Sequence, residues 1–260
     1  MLKKRLIPKL QLRKSSNSDR LVLVTTKQFN QTFEIGDPVS QAKIYEAQAA
    51  DELIFLDLDA STENRDTILD IVKKCSEEIF MPFTIGGGVR NLKDFVKLLS
   101  NGADKVSINT AAVENPGLIN TAANMFGAQC VVLSIDYKKE ANGDYCVYIK
   151  GGKQKTNLHP VEWAIEGEKR GAGEILITSI NHDGMRNGLD HEISSKIASS
   201  ITIPLIISGG CGYTQHFIDG FLLGNADAVS AGTYFNFKDE NPMQTRAQIR
   251  NAGIPIRLHT

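Results

Sequence analysis

Short apolar runs alternate along the chain with longer amphipathic stretches, the pattern of strands buried on both faces and each followed by a helix. The apolar runs predict strands over Arg5–Leu12, Glu52–Asp57, Pro82–Gly86, Lys105–Ile108, Cys130–Asp136, Glu174–Thr178, Pro204–Ser208 and Ala226–Ala231. The helical pattern falls over Pro38–Ala49, Arg65–Glu78, Leu92–Ser100, Pro116–Phe126, Pro160–Arg170, His191–Ser199, Thr214–Leu223 and Pro242–Asn251. Eight strand–helix units in succession predict an α/β fold closed into a (βα)8 TIM barrel; an open, doubly wound sheet is the other arrangement this order permits. A polar insert, Lys138–Asn157, separates the fifth strand from its helix, and Tyr145–Ile149 within it alternates like one strand of a small hairpin. No low-complexity linker interrupts residues 1–260, so a single domain is expected.

An internal repeat sharpens the picture. Gly86-Gly87 through Thr110 aligns without gaps on Gly209-Gly210 through Thr233, Asp51-Glu52-Leu53-Ile54 matches Gly173-Glu174-Ile175-Leu176, and Leu10–Lys14 matches Ile135–Lys139. The expected barrel is therefore two similar half-barrels, about residues 1–126 and 127–260, of four strand–helix units each.

Composition narrows the function class. Hydrophobic residues make up 42% and charged residues 23%, ordinary for a globular protein, and a formal net charge of -1 argues against a nucleic-acid groove or an anionic membrane surface. Lys3-Lys4-Arg5 is followed by a short apolar stretch containing Pro8, neither a signal peptide nor a membrane span. Cys75, Cys130, Cys146 and Cys211 are scattered without a CxxC pair, and His159, His182, His191, His216 and His259 do not cluster. Reduced cysteines in a cytoplasmic protein are expected, with no metal site and no cofactor.

The repeated motifs suggest anion binding. Each half ends one strand in a glycine pair and the next in a small polar residue before a helical turn, an arrangement that lets backbone N–H groups approach an anion. One candidate cup is Gly86-Gly87-Gly88 with Asn109-Thr110, the other Gly209-Gly210 with Gly232-Thr233; the second falls where barrels commonly hold phosphate. Two such cups suit one elongated ligand with a phosphate at each end, although glycine pairs also make plain tight turns. Asp136 ends the fifth strand, where its carboxyl is placed for acid–base chemistry or for a cap or an ion pair with Lys138. Asp183-Gly184 offers a ligand contact or a turn, and Asp57 and Asp59 are less specific. The repeat pairs Asp136 with Gln11, which hydrogen-bonds but cannot carry a proton between steps. At the opposite strand ends stand Arg5, Glu52, Lys105 and Glu174, which form either a salt-bridge ring closing the barrel bottom or four separate solvated ends.

Over nearly its whole length the chain resembles the cyclase subunit (HisF) family of imidazole glycerol phosphate synthase, the ammonia-using half of a glutamine amidotransferase. The resemblance is carried by Ile35-Gly36-Asp37-Pro38-Val39, Pro82–Gly88, Asp104–Pro116 and Arg170–Leu176. It implies a ribulosyl-phosphoribosyl ligand with two phosphates, bound by Gly88, Asn109 and Thr110 at one end and by Asp183, Gly184, Gly210, Gly232 and Thr233 at the other. It further implies an ammonia gate of Arg5, Glu52, Lys105 and Glu174, and a glutaminase partner docked on the N-terminal face through Asp104. The departures are specific. The family's two catalytic aspartates fall on Gln11 and Asp136, its mobile-loop lysine falls on Thr25 within a rewritten stretch, Lys14–Phe29, and a further acidic position reads Asn181. That combination resembles divergent copies associated with surface-sugar biosynthesis, where glutaminase and barrel are implied to pass ammonia to a separate sugar amidotransferase.

Overall fold

The computed structural model describes residues 3–18, 20–60, 63, 68–237 and 241–257. Among these, twelve strands run in chain order as β1 (Arg5–Lys14), β2 (Leu21–Lys27), β3 (Gln31–Gly36), β4 (Leu53–Asp57), β5 (Phe83–Gly86), β6 (Lys105–Ile108), β7 (Val131–Lys139), β8 (Tyr145–Ile149), β9 (Gln154–Lys155), β10 (Glu174–Ser179), β11 (Leu205–Ser208) and β12 (Ala228–Ala231). Strands β1, β4, β5, β6, β7, β10, β11 and β12 pair side by side in parallel, and β12 pairs back onto β1 from Arg5↔Ala228 to Pro8↔Ala231. The parallel sheet is a closed eight-stranded barrel with alternating helices, which excludes the open doubly wound alternative.

Strand alternation gives each barrel strand an inner and an outer face. On β1, Leu6, Leu10 and Leu12 pack outward against the helices in the main core, while Ile7 joins Ile54, Val132, Leu176, Ile206 and Ala228 in a separate apolar layer. Helix starts follow local chemistry. Pro38, Pro160 and Pro242 each open a helix, where a missing N–H leaves no bond unmade, and Asp37, Asn91 and Asn241 accept from first-turn amides.

Most predicted elements end within two residues of the observed ones. The helix expected over Pro38–Ala49 stops at Ala47, because Ala49 has φ +57°. The helix expected from Arg65 is seen as Leu69–Glu78; Arg65, Asp66 and Thr67 lie outside the described residues. Strand β1 runs past Leu12, and β7 past Asp136, because each continues into an antiparallel hairpin at the barrel mouth. For β7 the partner is the predicted strand Tyr145–Ile149. For β1 it is β2, which pairs in turn with β3; the stretch Lys14–Phe29, matched by resemblance to a mobile loop, thus contains a strand. No helix among the described residues is long and apolar enough to cross a membrane.

Candidate functional site

At the N-terminal end of the barrel the inward positions of β1, β6 and β10, with the residue preceding β4, bring Arg5, Lys105, Glu174 and Glu52 into one ring. Arg5 donates to Glu52 and Glu174 at 2.5 Å each, and Lys105 to the second oxygens of both at 3.0 Å. Burial pushes the Glu52 carboxyl up, but Arg5 and Lys105 outweigh it and hold Glu52 below the usual carboxylate range. The next inward residues, Ile7, Ile54 and Leu176, belong to the apolar layer. Asp104 is exposed at this same end and accepts the Phe83 N–H at 2.9 Å; its repeat counterpart Asp227 accepts the Leu205 N–H at 3.1 Å.

The opposite end opens into two adjoining cavities. The larger, about 980 Å³ including solvent at its mouth, is lined in part by Gly88, Asn109, Thr110, Asp136, Lys9 and Gln11. The smaller, about 280 Å³ with its open solvent, is lined in part by Asp183, Gly184, Gly210, Gly232, Thr233 and again Lys9 and Gln11. The helices that follow the cups, Thr110–Glu114 and Thr233–Phe237, are five residues long, so any anion there would depend on individual amide and hydroxyl donors more than on a long helix dipole. The Lys150 N–H donates to the Thr110 hydroxyl at 3.0 Å, and the Thr25 and Thr233 hydroxyls share a bond of 2.8 Å. Each repeat therefore sends the hairpin that extends its first strand onto the cup threonine of the other repeat.

The β2–β3 hairpin is seated closely. Thr26 donates to Asp183 at 2.5 Å, the Gln28 N–H donates to the Asp183 carbonyl at 2.8 Å, and the Gln28 side chain donates to the Asn181 carbonyl at 3.1 Å. Gly184, at φ +70°, makes this approach possible, since a Cβ there would lie 2.0 Å from the Thr26 carbonyl oxygen. Asn181 binds both backbone groups of Lys139, and so acts as a clip between loops.

Between the cavities stand the titratable groups. Asp136 accepts from Asn109 Nδ2 at 2.7 Å. It does not pair with Lys138, whose ammonium lies 4.5 Å from the Tyr148 ring centroid. Asp136 is partly accessible from the cleft, yet it is so surrounded by protein that burial pushes its carboxyl up to about 7, with Lys9 opposing and Asp183 reinforcing the shift. A carboxyl that titrates near neutrality can both give and take a proton. Burial also raises Asp183, against Lys9 and the Thr26 bond. Gln11 donates to Thr26 at 3.0 Å. Asp57 holds its own turn by accepting from the Asp59 and Ala60 amides, and Asp59 is taken by Arg13 through two bonds of 2.5 and 2.8 Å.

Two residues at this mouth escaped the sequence reading. Arg13 ties Asp59 to Thr32 of the hairpin. Lys9, buried, donates to Ser208 at 2.8 Å and lies 4.0 Å from Asp183. A signal was present, because Arg5, Ile7, Lys9 and Gln11 share one face by alternation and the repeat sets Lys9 over Ser134.

The family model described as "Histidine biosynthesis protein" matches residues 5–240, a span that includes every barrel strand, the ring and both cups. The chain belongs to this family. Within it, the chain is 50% identical over 260 residues to a Prochlorococcus marinus (strain MIT 9313) protein provisionally named imidazole glycerol phosphate synthase subunit hisF2, covering 99% of each. It is 46% identical over 258 residues to imidazole glycerol phosphate synthase subunit HisF of Flavobacterium psychrophilum (99% of this chain, 100% of the relative). Against HisF of Alkaliphilus metalliredigens the identity is 44% over 257 residues, with 99% and 100% covered. This histidine-biosynthesis family member is HisF-like across its full alignment.

Proposed function

We propose that this HisF-like barrel is the ammonia-receiving subunit of a glutamine amidotransferase, specialised to deliver ammonia for turning an acetamido into an acetamidino group in surface-glycan biosynthesis. A glutaminase docks at the Asp104 end, ammonia enters through the Arg5–Glu52–Lys105–Glu174 ring, and a separate amidotransferase uses it in the cytoplasm. The observation that carries the reading is Gln11. At the position where the resemblance calls for an aspartate, an amide is bonded to Thr26, in a mouth whose cavities Gly88, Asn109, Thr110, Gly210, Gly232 and Thr233 line. Removing one general acid or base typically costs about 100- to 10,000-fold, whereas an ammonia conduit needs no such pair.

One observation favours a second reading, an active cyclase that cleaves and closes its substrate to imidazole glycerol phosphate and aminoimidazole carboxamide ribotide. Asp136 is present, held by Asn109 and titrating at about 7, suited to proton transfer.

The deciding experiment supplies the purified barrel with saturating ammonium at alkaline pH and the ribulosyl-phosphoribosyl substrate, and follows aminoimidazole release. Free ammonia makes a glutaminase unnecessary. No turnover, with partial recovery in Gln11→Asp, is the expected result. Turnover on the order of 1 per second in the unmodified chain would overturn the conduit reading in favour of the cyclase.

A further inference from the structure

The internal repeat makes the two cups comparable, but their cations differ: Lys9, Arg13 and Lys153 line the first cavity, and Lys9 is the cation that lines the second. Lys9 occupies the repeat position of Ser134; it borders both cavities, but its two near partners, Ser208 and Asp183, line only the second. Lys9 is 3% exposed, bonded to Ser208 Oγ at 2.8 Å and 4.0 Å from Asp183 Oδ1. The Asp183 and Asp136 carboxylates face this charge, but of the three donors of the ammonium one is taken, by Ser208, and an acceptor in the cavity would satisfy the others. Ser230 lines the same cavity, is 0% exposed, and its hydroxyl has no hydrogen-bond partner. Gly209, Gly210 and Gly232 line the same wall; the first two are glycine because the Ser179 and Gly188 backbones pack against them, and all three present main chain to the cavity. A buried cation, a free hydroxyl and backbone groups lining one cavity suit a compact oxyanion. An apolar or cationic group would leave them unpaired. Asp183 does not contradict this, because one carboxylate oxygen is taken by Thr26 and burial moves the group toward its neutral form.

We propose that Lys9 is the ionic anchor of the second cup, pairing there with a phosphoryl group that Ser230 and the Gly232 backbone also contact. This rests on the reading of the cups as phosphate sites. The Thr25–Thr233 and Thr26–Asp183 bonds are then the closure of the β2–β3 hairpin over the occupied chamber.

The test is calorimetric binding of inorganic phosphate and of ribose 5-phosphate to the full chain, its folding checked by circular dichroism. Lys9→Met is expected to weaken both by roughly 10- to 100-fold, Lys9→Arg to keep most of the affinity, and Lys97→Met, on an exposed helix face outside both cavities, to change nothing. If Lys9→Met binds as tightly as the unmodified chain while Ser230→Ala binds weakly, the cup stands and the anchor falls. If neither compound binds the unmodified chain, the cup reading falls and takes the anchor with it. A second measurement needs no variant: in 15N-lysine-labelled protein, phosphate must shift the signal of the buried ammonium, and a spectrum unmoved at saturation overturns the proposal.

Discussion

At the residue scale, Asp136 shows how burial turns an ordinary side chain into a chemical group. A free aspartate titrates near ~3.9, and burial takes Asp136 to about 7. Because the folded value lies above the unfolded one, the stability linked to its proton is fully present below pH ~4 and is lost as pH rises through 7. Asp136→Asn keeps an acceptor for Asn109 and removes the ionisation. Urea midpoints measured from pH 4 to 8 should therefore fall more steeply in the unmodified chain than in the variant. Three pKa units set a ceiling of about 4 kcal/mol on the difference; equal slopes would refute the assignment. The position of Asp136 was legible as the end of an apolar run. Its protonation was not, because that depends on what surrounds it in space.

At the element scale, the β2–β3 hairpin is held by bonds that reach across half the sequence, from Thr25 to Thr233 and from Thr26 to Asp183. Gly184→Ala places a methyl group where the Thr26 carbonyl now sits and adds strain at φ +70°. A local cost of about 1–3 kcal/mol is expected, seen as faster hydrogen exchange of amides in residues 21–36 with β10 and β11 still protected. Unchanged exchange across the hairpin would show that Gly184 does not seat it. Helix starts at Pro38, Pro160 and Pro242 could be read locally, since a cap is a matter of adjacent residues. The hairpin could not. Its first strand, Leu21–Lys27, has no apolar–polar alternation, and its turn uses Gln28 and Phe29 at φ +52° and +60° without a glycine signal.

At the scale of the whole molecule, the ring joins four strand ends that are far apart in sequence and closes one end of the barrel. Removing one partner leaves buried charge uncompensated, so Arg5→Met should cost about 3–5 kcal/mol at neutral pH by denaturant titration; a loss below about 0.5 kcal/mol would mean the ring is no more than a surface feature. Glu52 titrates below its unfolded value, so its contribution is present above about pH 4.3 and is lost as pH falls through the folded value. The unmodified chain should accordingly lose more stability in acid than Arg5→Met does.

The hydrophobic pattern determined the strand–helix order, and the repeat, a property of the sequence itself, marked the strand ends at which chemistry is expected to sit. Those are local or periodic properties, written in neighbouring residues. Closure determined the rest. Only once β12 lies beside β1 do Arg5 and Glu174 meet, Thr25 reach Thr233, and Lys9 come within bonding distance of Ser208. A strand specifies which side chains face inward, but the barrel alone decides which of them share an enclosed space, and burial in that space sets their charge.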